Sequence, residues 1–476
     1  MTSDIKTSEI QLRDEDQLSL DLIEAQYALK ASRDGNCGKS VLILVNGVEL
    51  AGKGEAVKQL REWMDPRYLG VKANTPNEPQ YGQPFWQPYR SAIPAEGQIV
   101  ILFGNWYGDA LFHAVHEKQP DILAFAKLLE QIRLFEQYLQ QNQVDVLRFW
   151  FDLDWEVLQK RLDDVPPSQK KWHRLHGLDW RNKQHYERLQ SLSAMFKHEC
   201  CVIDGADPEC RDQHFAQKIL QHLQDLPERC KAVKQTWLSQ AILPELNEIP
   251  KQALKKSNYK KKLKKLSRKV ADALRDTPKN VVIAFEGMDA AGKGGAIKRI
   301  VKHLDPREYT IHTIAAPEKY ELRRPYLWRF WTKLPEHQGI CIFDRTWYGR
   351  VLVERVEGFA SETEWQRAFD EINQFEEQLI DSGVVVIKLW LAISLEEQAE
   401  RFKAREDTPH KRFKITEEDW RNREKWDDYL VAASDMLHYT DTAQAPWYVI
   451  ASDDKYQARI AVLEAILKQL KASAEH

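Results

Sequence analysis

The stretch VVIAFEGMDAAGKGG, Val281–Gly295, decides the fold of this chain. It begins with an apolar run typical of a buried strand and opens into a glycine-rich turn. Gly287, Gly292 and Lys293 satisfy the pattern G-x-x-x-x-G-K, in which backbone N–H groups and a lysine cradle phosphate oxygens. The residues that follow, Ala296–Leu304, are predicted to be helical. The sequence therefore predicts a strand, a phosphate-binding loop and a helix in succession.

A second copy of this stretch, VLILVNGVELAGKGE, spans Val41–Glu55, and its glycines are offset from those of the first copy by 240 positions. The tripeptide Trp-Arg-Asn at 180–182 recurs at 420–422 with the same offset. Matches at a constant offset over most of a chain are the signature of an internal repeat. The predicted organisation is a first domain at 1–232, a linker at 233–247 and a homologous second domain at 248–476.

Each half is predicted to be an α/β domain. Short apolar runs such as Val384–Leu391 and Trp447–Ala451 alternate with helical stretches such as Glu362–Leu379. This alternation is typical of a parallel sheet with helices on both faces, whose ligands bind at the carboxyl ends of the strands. The glycine loop falls at such an end.

The composition is that of a globular protein, with 43% hydrophobic and 30% charged residues among 476. No window approaches the roughly 20 apolar residues of a membrane span, and six cysteines without C-x-x-C pairs predict a cytoplasmic location. Because the formal net charge is only −3, a polyanion site must be a local basic cluster. The lysine-rich segment 251–270 is predicted to be an amphipathic helix with solvated lysines, and the alternative is a surface that steers an anionic substrate.

The phosphate loop departs from the common nucleotide-binding form at Gly294, where that form places a Ser or Thr hydroxyl for Mg²⁺. Asp289 instead puts a carboxylate inside the loop, and a carboxylate beside phosphates is repulsive unless a cation bridges them. We therefore expect Asp289 to be a direct or water-mediated Mg²⁺ ligand. The alternative is a side chain that only stabilises the loop.

A second apolar run, 340–343, ends in Asp344, as the second-strand metal carboxylate of phosphate-transferring enzymes does. Asp344 is predicted to share the cation with Asp289 or to take the proton or charge of the attacking phosphate, and the alternative is an Asp that caps a turn at a strand end. Arg345 and Arg350 follow, and both fit the neutralisation of phosphate charge.

The segment RFKAREDTPHKRFK, at 401–414, carries six basic and two acidic residues around a Thr-Pro break. This pattern predicts a hinged lid whose cations close over phosphates, and the alternative is a solvated charged face.

Together these motifs resemble the polyphosphate kinase 2 family. The similarity is carried by the G-x-D-x-x-G-K-G loop, the strand end FDRTWYGR at 343–350 and the basic lid. The stretch 316–359 resembles the fused two-domain class in particular. The resemblance implies tandem P-loop kinase-like domains with helical lids. It also implies Mg²⁺-dependent transfer of the terminal phosphoryl group of inorganic polyphosphate to AMP, giving ADP.

The resemblance also implies roles for individual residues. The family's catalytic positions fall on Asp289, Lys293, Asp344, Arg345 and Arg405. The phosphate-binding set is predicted to be Gly287, Gly292, Gly294, Arg350, Arg401, Lys411, Arg412 and Lys414. Asp289 and Asp344 would hold Mg²⁺, while the lysine and arginines stabilise the moving phosphoryl group. Arg324 and Arg329 are candidates for acceptor contacts, with an exposed ion-pair role as the alternative.

The first half keeps the loop lysine, Lys53, but is predicted to be inactive. Gly104 is aligned with Asp344, in a strand end that is one residue shorter and has no arginine. The other replacements are Glu49 for Asp289, Val165 for Arg405, Gln83 for Arg324 and Pro88 for Arg329. A domain without these charges would be structural, or would hold polyphosphate weakly.

Two other functions are compatible with parts of the pattern. An ATP-dependent nucleoside monophosphate kinase would share the fold and the lid, but Gly294 and the cationic lid count against it. A non-enzymatic polyanion-binding or nucleic-acid-binding scaffold would not need the carboxylates that the second copy retains. We expect no nucleic-acid or membrane partner, and a homo-oligomer is a reasonable default.

Overall fold

The structure is a computed structural model, and it packs into two compact units. The described residues are 11–31, 38–74, 82–117, 119–166, 179–226, 237–250, 253–336, 338–408 and 417–474. Unit 1 consists of Met1–Pro79, Phe85–Lys231 and Glu318–Trp328, and unit 2 consists of Gln80–Pro84, Ala232–Pro317 and Arg329–His476. Each unit therefore takes in a short segment from the other half of the sequence.

Unit 1 contains a five-stranded parallel sheet with flanking helices. Its elements are α1 (Glu15–Ala31), β1 (Ser40–Gly47), α2 (Lys53–Trp63), β2 (Leu69–Ala73), a 3₁₀ segment (Gln87–Ala92), β3 (Ile99–Phe103), α3 (Trp106–His116), α4 (Ile122–Gln141), β4 (Val144–Asp152), α5 (Trp155–Asp164), α6 (Lys183–Lys197), β5 (Cys201–Asp204) and α7 (Pro208–Gln224). The strand order is β2-β3-β1-β4-β5. The central strand β1 is almost wholly buried, which explains its continuous apolar sequence.

Unit 2 repeats this architecture. Its elements are α8 (Pro244–Asn247), α9 (Lys256–Asp276), β6 (Val281–Gly287), α10 (Lys293–Ile300), a 3₁₀ segment (Val301–His303), β7 (Tyr309–Thr313), α11 (Trp328–Trp331), β8 (Ile340–Asp344), a 3₁₀ segment (Trp347–Arg350), α12 (Val353–Val356), α13 (Glu362–Asp381), β9 (Val385–Ala392), α14 (Leu395–Glu406), α15 (Glu417–Glu424), α16 (Trp426–Thr440), β10 (Trp447–Ala451) and α17 (Lys455–Ala474). The strand order β10-β9-β6-β8-β7 is equivalent to that of unit 1. The predicted α/β tandem fold is confirmed.

Local sequence explains the boundaries of these elements. α13 begins after Ser361, whose side chain and that of Glu364 form a reciprocal capping box, and its apolar face buries Ala368, Phe369 and Ile372. The edge strand β7 was not predicted, because its side chains are half-buried or exposed and give no apolar run. Among the described residues, no helix is both long and apolar enough to cross a membrane.

The register of β3 corrects the predicted alignment of the two strand ends. In unit 1, Val45 pairs with Phe103, whereas in unit 2 the equivalent Phe285 pairs with Asp344. Phe103 is therefore the structural counterpart of Asp344, and the alignment with Gly104 is wrong. Residues of β3 are offset from their counterparts in β8 by 241 positions, whereas residues of β1 are offset from those of β6 by 240. Unit 1 is therefore one residue shorter between β1 and β3, and not after β3.

A buried carboxylate supports the strand ends of both units. In unit 2, Glu376 accepts hydrogen bonds from Trp347 Nε1 at 3.0 Å and Tyr348 Oη at 2.6 Å, and it pairs with Lys388 Nζ at 2.9 Å. In unit 1, the same network is formed by Glu136 with Trp106, Tyr107 and Arg148. The chain has thus kept this structural network in both copies.

Candidate functional site

The phosphate loop of unit 2 connects β6 to α10 through two glycines in left-handed conformations. Gly287 has φ of +138° and Gly292 has φ of +110°. A Cβ on Gly287 would lie 2.5 Å from the carbonyl oxygen of Leu391, so only glycine fits there. Lys293 begins α10, and its Nζ donates to the carbonyl oxygen of Gly287 at 2.6 Å. Burial lowers the pKa of Lys293, although Asp289 counteracts this.

Asp289 lies in this loop between cationic and amide donors. Its Oδ1 accepts from Arg345 Nη2 at 2.8 Å, and its Oδ2 accepts from Asn422 Nδ2 at 3.2 Å. Gln398 Nε2 donates to its carbonyl oxygen at 3.0 Å. Burial alone would raise the pKa of Asp289, but Lys293 and Arg345 outweigh it and hold that pKa below its usual range. The carboxylate is therefore ionised at neutral pH.

The end of β8 brings Asp344 and Arg345 to the same loop. A Cβ built on Gly294 would lie 3.9 Å from Asp344 Oδ2, an ordinary van der Waals distance, so this carboxylate lies beside the residue that follows the loop lysine. Arg345 adopts φ of +66°, a conformation that is rare for a residue with a side chain. Such strained residues are often found at functional sites.

Glu286 holds the strained turn, and sequence reasoning missed it. Its buried Oε1 accepts from the backbone N–H of Thr346 at 2.7 Å and from the Thr346 hydroxyl at 2.8 Å. Arg345 also donates its backbone N–H to the carbonyl oxygen of Phe285 at 3.1 Å. Burial raises the pKa of Glu286. The residue immediately before the first loop glycine thus fixes the backbone that carries Arg345.

The guanidinium of Arg401 donates hydrogen bonds to the main chain around the loop. Its Nη1 donates to the carbonyl oxygens of Ala290 and Ala291, and its Nη2 donates to those of Ser452 and Asp453. In unit 1 the equivalent Arg161 donates to the carbonyl oxygens of Leu50, Gly205 and Ala206. Because the contact occurs in both units, Arg401 acts as a clamp on the loop, a role different from the predicted phosphate contact.

The remaining lid residues are described only in part. Arg405 lies in the last turn of α14, one turn beyond Arg401. Lys411, Arg412 and Lys414 lie outside the described residues. Arg350 pairs with Glu354 at 2.9 Å on the 3₁₀ segment after β8.

The two acceptor candidates belong to different units. Arg329 lies in unit 2, where its Nη2 donates to the carbonyl oxygen of Ala315 at 2.9 Å. Arg324 lies in unit 1, where its guanidinium stacks 4.5 Å from the ring of Trp328 and donates to the carbonyl oxygens of Ile93 and Tyr320. Of the two arginines, Arg329 belongs to the same unit as the phosphate loop.

A pocket of about 180 Å³ opens beside Asp289 and Arg345, within unit 2. Its wall is largely apolar and contains Phe330, Trp390 and Trp426. Aromatic walls with a few polar groups at one end are typical of sites for small ring-containing ligands. Of the pocket residues, Gly287, Asp289, Arg329 and Arg345 were predicted, whereas the aromatic residues were not, because no spacing along the chain connects them to the loop.

The described residues contain no group of three or more His, Cys, Asp or Glu placed to hold a metal ion. Asp289 and Asp344 at the phosphate loop nevertheless fit a Mg²⁺ site, since this ion is commonly held by one or two carboxylates together with substrate phosphates.

The sequence profile of the polyphosphate kinase 2 family matches residues 7–201 and 253–476. The chain is 62% identical to the polyphosphate:AMP phosphotransferase of Acinetobacter johnsonii, over 99% of both chains. This chain belongs to the polyphosphate kinase 2 family. A second relative, the polyphosphate:AMP phosphotransferase of Pseudomonas aeruginosa, is 39% identical over 95% of this chain and 94% of its own length. A crystal structure from Pseudomonas aeruginosa that is assigned to polyphosphate kinase 2 superposes with a TM-score of 0.82 at 38% identity, over 97% of this chain and 95% of the other.

Proposed function

We propose that this member of the family transfers the terminal phosphoryl group of inorganic polyphosphate to AMP, giving ADP, in unit 2. The observation that carries the proposal is the position of Asp289 and Arg345 between two features. They adjoin the phosphate loop on one side and line the aromatic pocket on the other. A polyanionic donor on the loop and a nucleotide acceptor in the pocket would meet at these side chains. The full-length relatives named polyphosphate:AMP phosphotransferase support the same reaction.

The residues present support transfer by positioning and charge neutralisation. A phosphate oxygen of AMP attacks the terminal phosphorus of polyphosphate, and the bond from that phosphorus to its bridging oxygen breaks. The products are ADP and a polyphosphate chain shorter by one phosphate. Lys293 and the loop N–H groups would hold the donor, while Arg345 neutralises charge on the transferred group. No general base is needed, because the AMP phosphate is already ionised at neutral pH.

Asp289 and Asp344 are the residues that would hold Mg²⁺, which supplies further neutralisation of phosphate charge when it is bound. The loop carboxylate of Asp289 pairs with Arg345 at 2.8 Å. A phosphate beside the loop would compete for the same guanidinium.

We also propose a cytoplasmic location, on the basis of the sparse cysteines, of which Cys200, Cys201, Cys210 and Cys341 are free thiols.

The proposed reaction is tested by incubating the full chain with AMP, Mg²⁺ and either polyphosphate or ATP, and following ADP. ADP is expected from polyphosphate, and removal of Mg²⁺ with a chelator should stop its formation. ADP that forms only from ATP would favour a nucleoside monophosphate kinase. No transfer from either donor would favour a binding scaffold.

We further propose that unit 1 is not a second active site. Phe103 occupies the register position of Asp344, so the second metal carboxylate has no counterpart there. The decisive variant is Asp344→Asn in the full chain, which should abolish ADP formation. Substantial remaining activity would show that unit 1 catalyses the reaction.

A further inference from the structure

Helix α9 carries a strongly basic face in unit 2. Nine of its 21 residues are basic and two are acidic. Its apolar side packs inward through Tyr259, Val270 and Leu274, whereas every lysine of the helix is exposed. The basic face from Lys256 to Lys269 extends for about 20 Å at the rise of an α-helix. Helix α9 therefore presents a row of positive charge to solvent.

The fold does not require these charges. Helix α1 occupies the equivalent place in unit 1, where it packs against α2 and α7 as α9 packs against α10 and α17. α1 has four acidic residues and one basic residue, Lys30. Two helices with the same structural role thus carry opposite charge, and the basic one belongs to the unit that retains Asp344. A requirement of packing alone would not produce this difference.

A chain of contacts connects the first turn of α9 to the phosphate loop. Tyr259 stacks on Tyr456 with ring centroids 4.5 Å apart. Tyr456 lies at the start of α17, close to Asp453, whose carbonyl oxygen accepts from Arg401 at 2.9 Å. Arg401 also donates to Ala291 in the loop at 3.1 Å. The first turn of α9 is therefore connected to the phosphate loop through α17 and Arg401.

An arginine of α17 lies beside this path. A Cβ built on Gly295 would lie 3.2 Å from Arg459 Nη2, so the guanidinium lies next to the second residue after Lys293. In the same helix, Lys455 precedes Tyr456 and is exposed. Positive charge thus continues from the loop lysine past α17 to α9.

We propose that the basic face of α9 binds the part of a long inorganic polyphosphate chain that lies beyond the transferred phosphate. The proposal rests on polyphosphate being the donor. A polyanion that reaches across the face displaces counterions from several charges at once, so its affinity rises with chain length and falls with salt. Long chains would therefore bind more tightly than short chains that reach only the loop.

Inorganic polyphosphate fits this face better than nucleic acid does. Single-stranded nucleic acid is generally held by exposed aromatic side chains on which bases stack, in addition to basic residues. The one aromatic residue of α9, Tyr259, is buried against Tyr456. The face offers charge without a stacking platform, which suits a chain that consists of phosphate alone.

The test replaces four lysines of the face in the full chain: Lys260→Gln, Lys261→Gln, Lys264→Gln and Lys265→Gln. Lys and Gln have similar helix propensities, so α9 should remain intact. The KM for long-chain polyphosphate should rise roughly tenfold relative to the KM for a short-chain donor, and its salt dependence should flatten. Arginine at the same four positions should restore the ratio of the two KM values.

The matched control is Lys468→Gln with Lys471→Gln, which removes exposed lysines from the distal end of α17 and should leave both KM values unchanged. An unchanged long-chain KM in the α9 variant would overturn the proposal. The same holds if the variant keeps its long-chain KM but no longer binds single-stranded RNA, since the face would then serve nucleic acid. Equal changes for long and short donors would also overturn it. Direct titration of wild type and the α9 variant with long-chain polyphosphate tests the surface without turnover. A wild type that binds the polymer but forms no ADP would refute the proposed reaction and not the surface.

Discussion

Units 1 and 2 have the same sheet, the same glycine loop and the same buried carboxylate network, but they differ at the end of one strand. In unit 2, β8 ends at Asp344 and Arg345 follows it, whereas in unit 1 β3 ends at Phe103 and Gly104 follows it. Both loop lysines donate to the carbonyl oxygen of the first loop glycine. The scaffold of a phosphate site can therefore persist after the charged residues around it have been lost.

The backbone of unit 1 has adapted to this loss. Gly104 keeps the left-handed conformation of Arg345, with φ of +82° against +66°. A Cβ on Gly104 would lie only 2.2 Å from the carbonyl oxygen of Asn74, so no side chain fits there. Asn46, at the position of Glu286, makes no contact that corresponds to the Glu286–Thr346 bond among the described contacts. In unit 2 the Glu286 carboxylate anchors the turn after β8. In unit 1 the carbonyl oxygen of Asn74 lies where a side chain at position 104 would have to begin.

The largest expected difference concerns the two loop lysines. Lys293→Ala should lower kcat for AMP phosphorylation by about 10³-fold, because a preorganised charge at the transferring phosphate is removed. Lys53→Ala, the matched control in unit 1, should leave kcat unchanged. Initial rates of ADP formation check both variants, and an equal loss in both would contradict the assignment of catalysis to unit 2.

The buried networks around Glu376 and Glu136 should both contribute to the stability of the protein, although only unit 2 is proposed to catalyse the reaction. Glu376→Gln leaves Lys388, which is 0% exposed, without its carboxylate and should cost about 3 kcal/mol of stability. Glu136→Gln should cost less, because the Arg148 side chain is 16% exposed. Chemical denaturation monitored by tryptophan fluorescence measures both changes. Loss of stability in only one variant would show that the two networks are not equivalent.

Glu286 should matter for activity because it anchors the turn that carries Arg345. Glu286→Ala is expected to lower kcat by about 10²-fold, because Thr346 and the strained Arg345 lose their anchor. Glu286→Gln keeps an acceptor oxygen for Thr346 and should recover most of that loss. Asn46→Ala in unit 1 is the control and should leave kcat unchanged. If Gln is as damaging as Ala while both variants remain folded, Glu286 acts by charge and not by positioning.

The smallest effect is expected at Gly104. Gly104→Ala should destabilise the protein by about 2 kcal/mol, because the new Cβ meets a backbone oxygen in a left-handed conformation. The rate of ADP formation by the folded protein should not change. Thermal unfolding and steady-state rates check the two parts, and a fall in kcat without a loss of stability would assign unit 1 a part in the reaction.

Local patterns were sufficient for much of this description. The glycine and lysine spacing predicted the phosphate loop, and α10 begins at that lysine, three residues before the predicted helix. The apolar runs predicted the central strands, and the helical spacing of Trp365 to Leu379 predicted α13 closely. These features depend on residues that are neighbours in the chain, so sequence alone could reveal them.

Other features could not be predicted in this way. The bond from Thr346 to Glu286 joins residues 60 positions apart, and that from Asn422 to Asp289 joins residues 133 apart. Sequence reasoning noted Asn422 as part of a repeat but could not connect it to the loop. It also treated Arg401 as a phosphate ligand, since nothing local shows that four carbonyl oxygens lie around its guanidinium.

By itself the sequence determined the tandem α/β fold, the phosphate loops and the family resemblance, because spacing along the chain encodes each of them. Only the tertiary structure decided the register of β3, the packing of Arg324 in unit 1 and the support that Glu286 gives to Arg345. Each of these depends on which strands pair and at what offset. The sequence showed that unit 1 is one residue shorter in this region but not on which side of β3, and that position determines the counterpart of every residue in the strand.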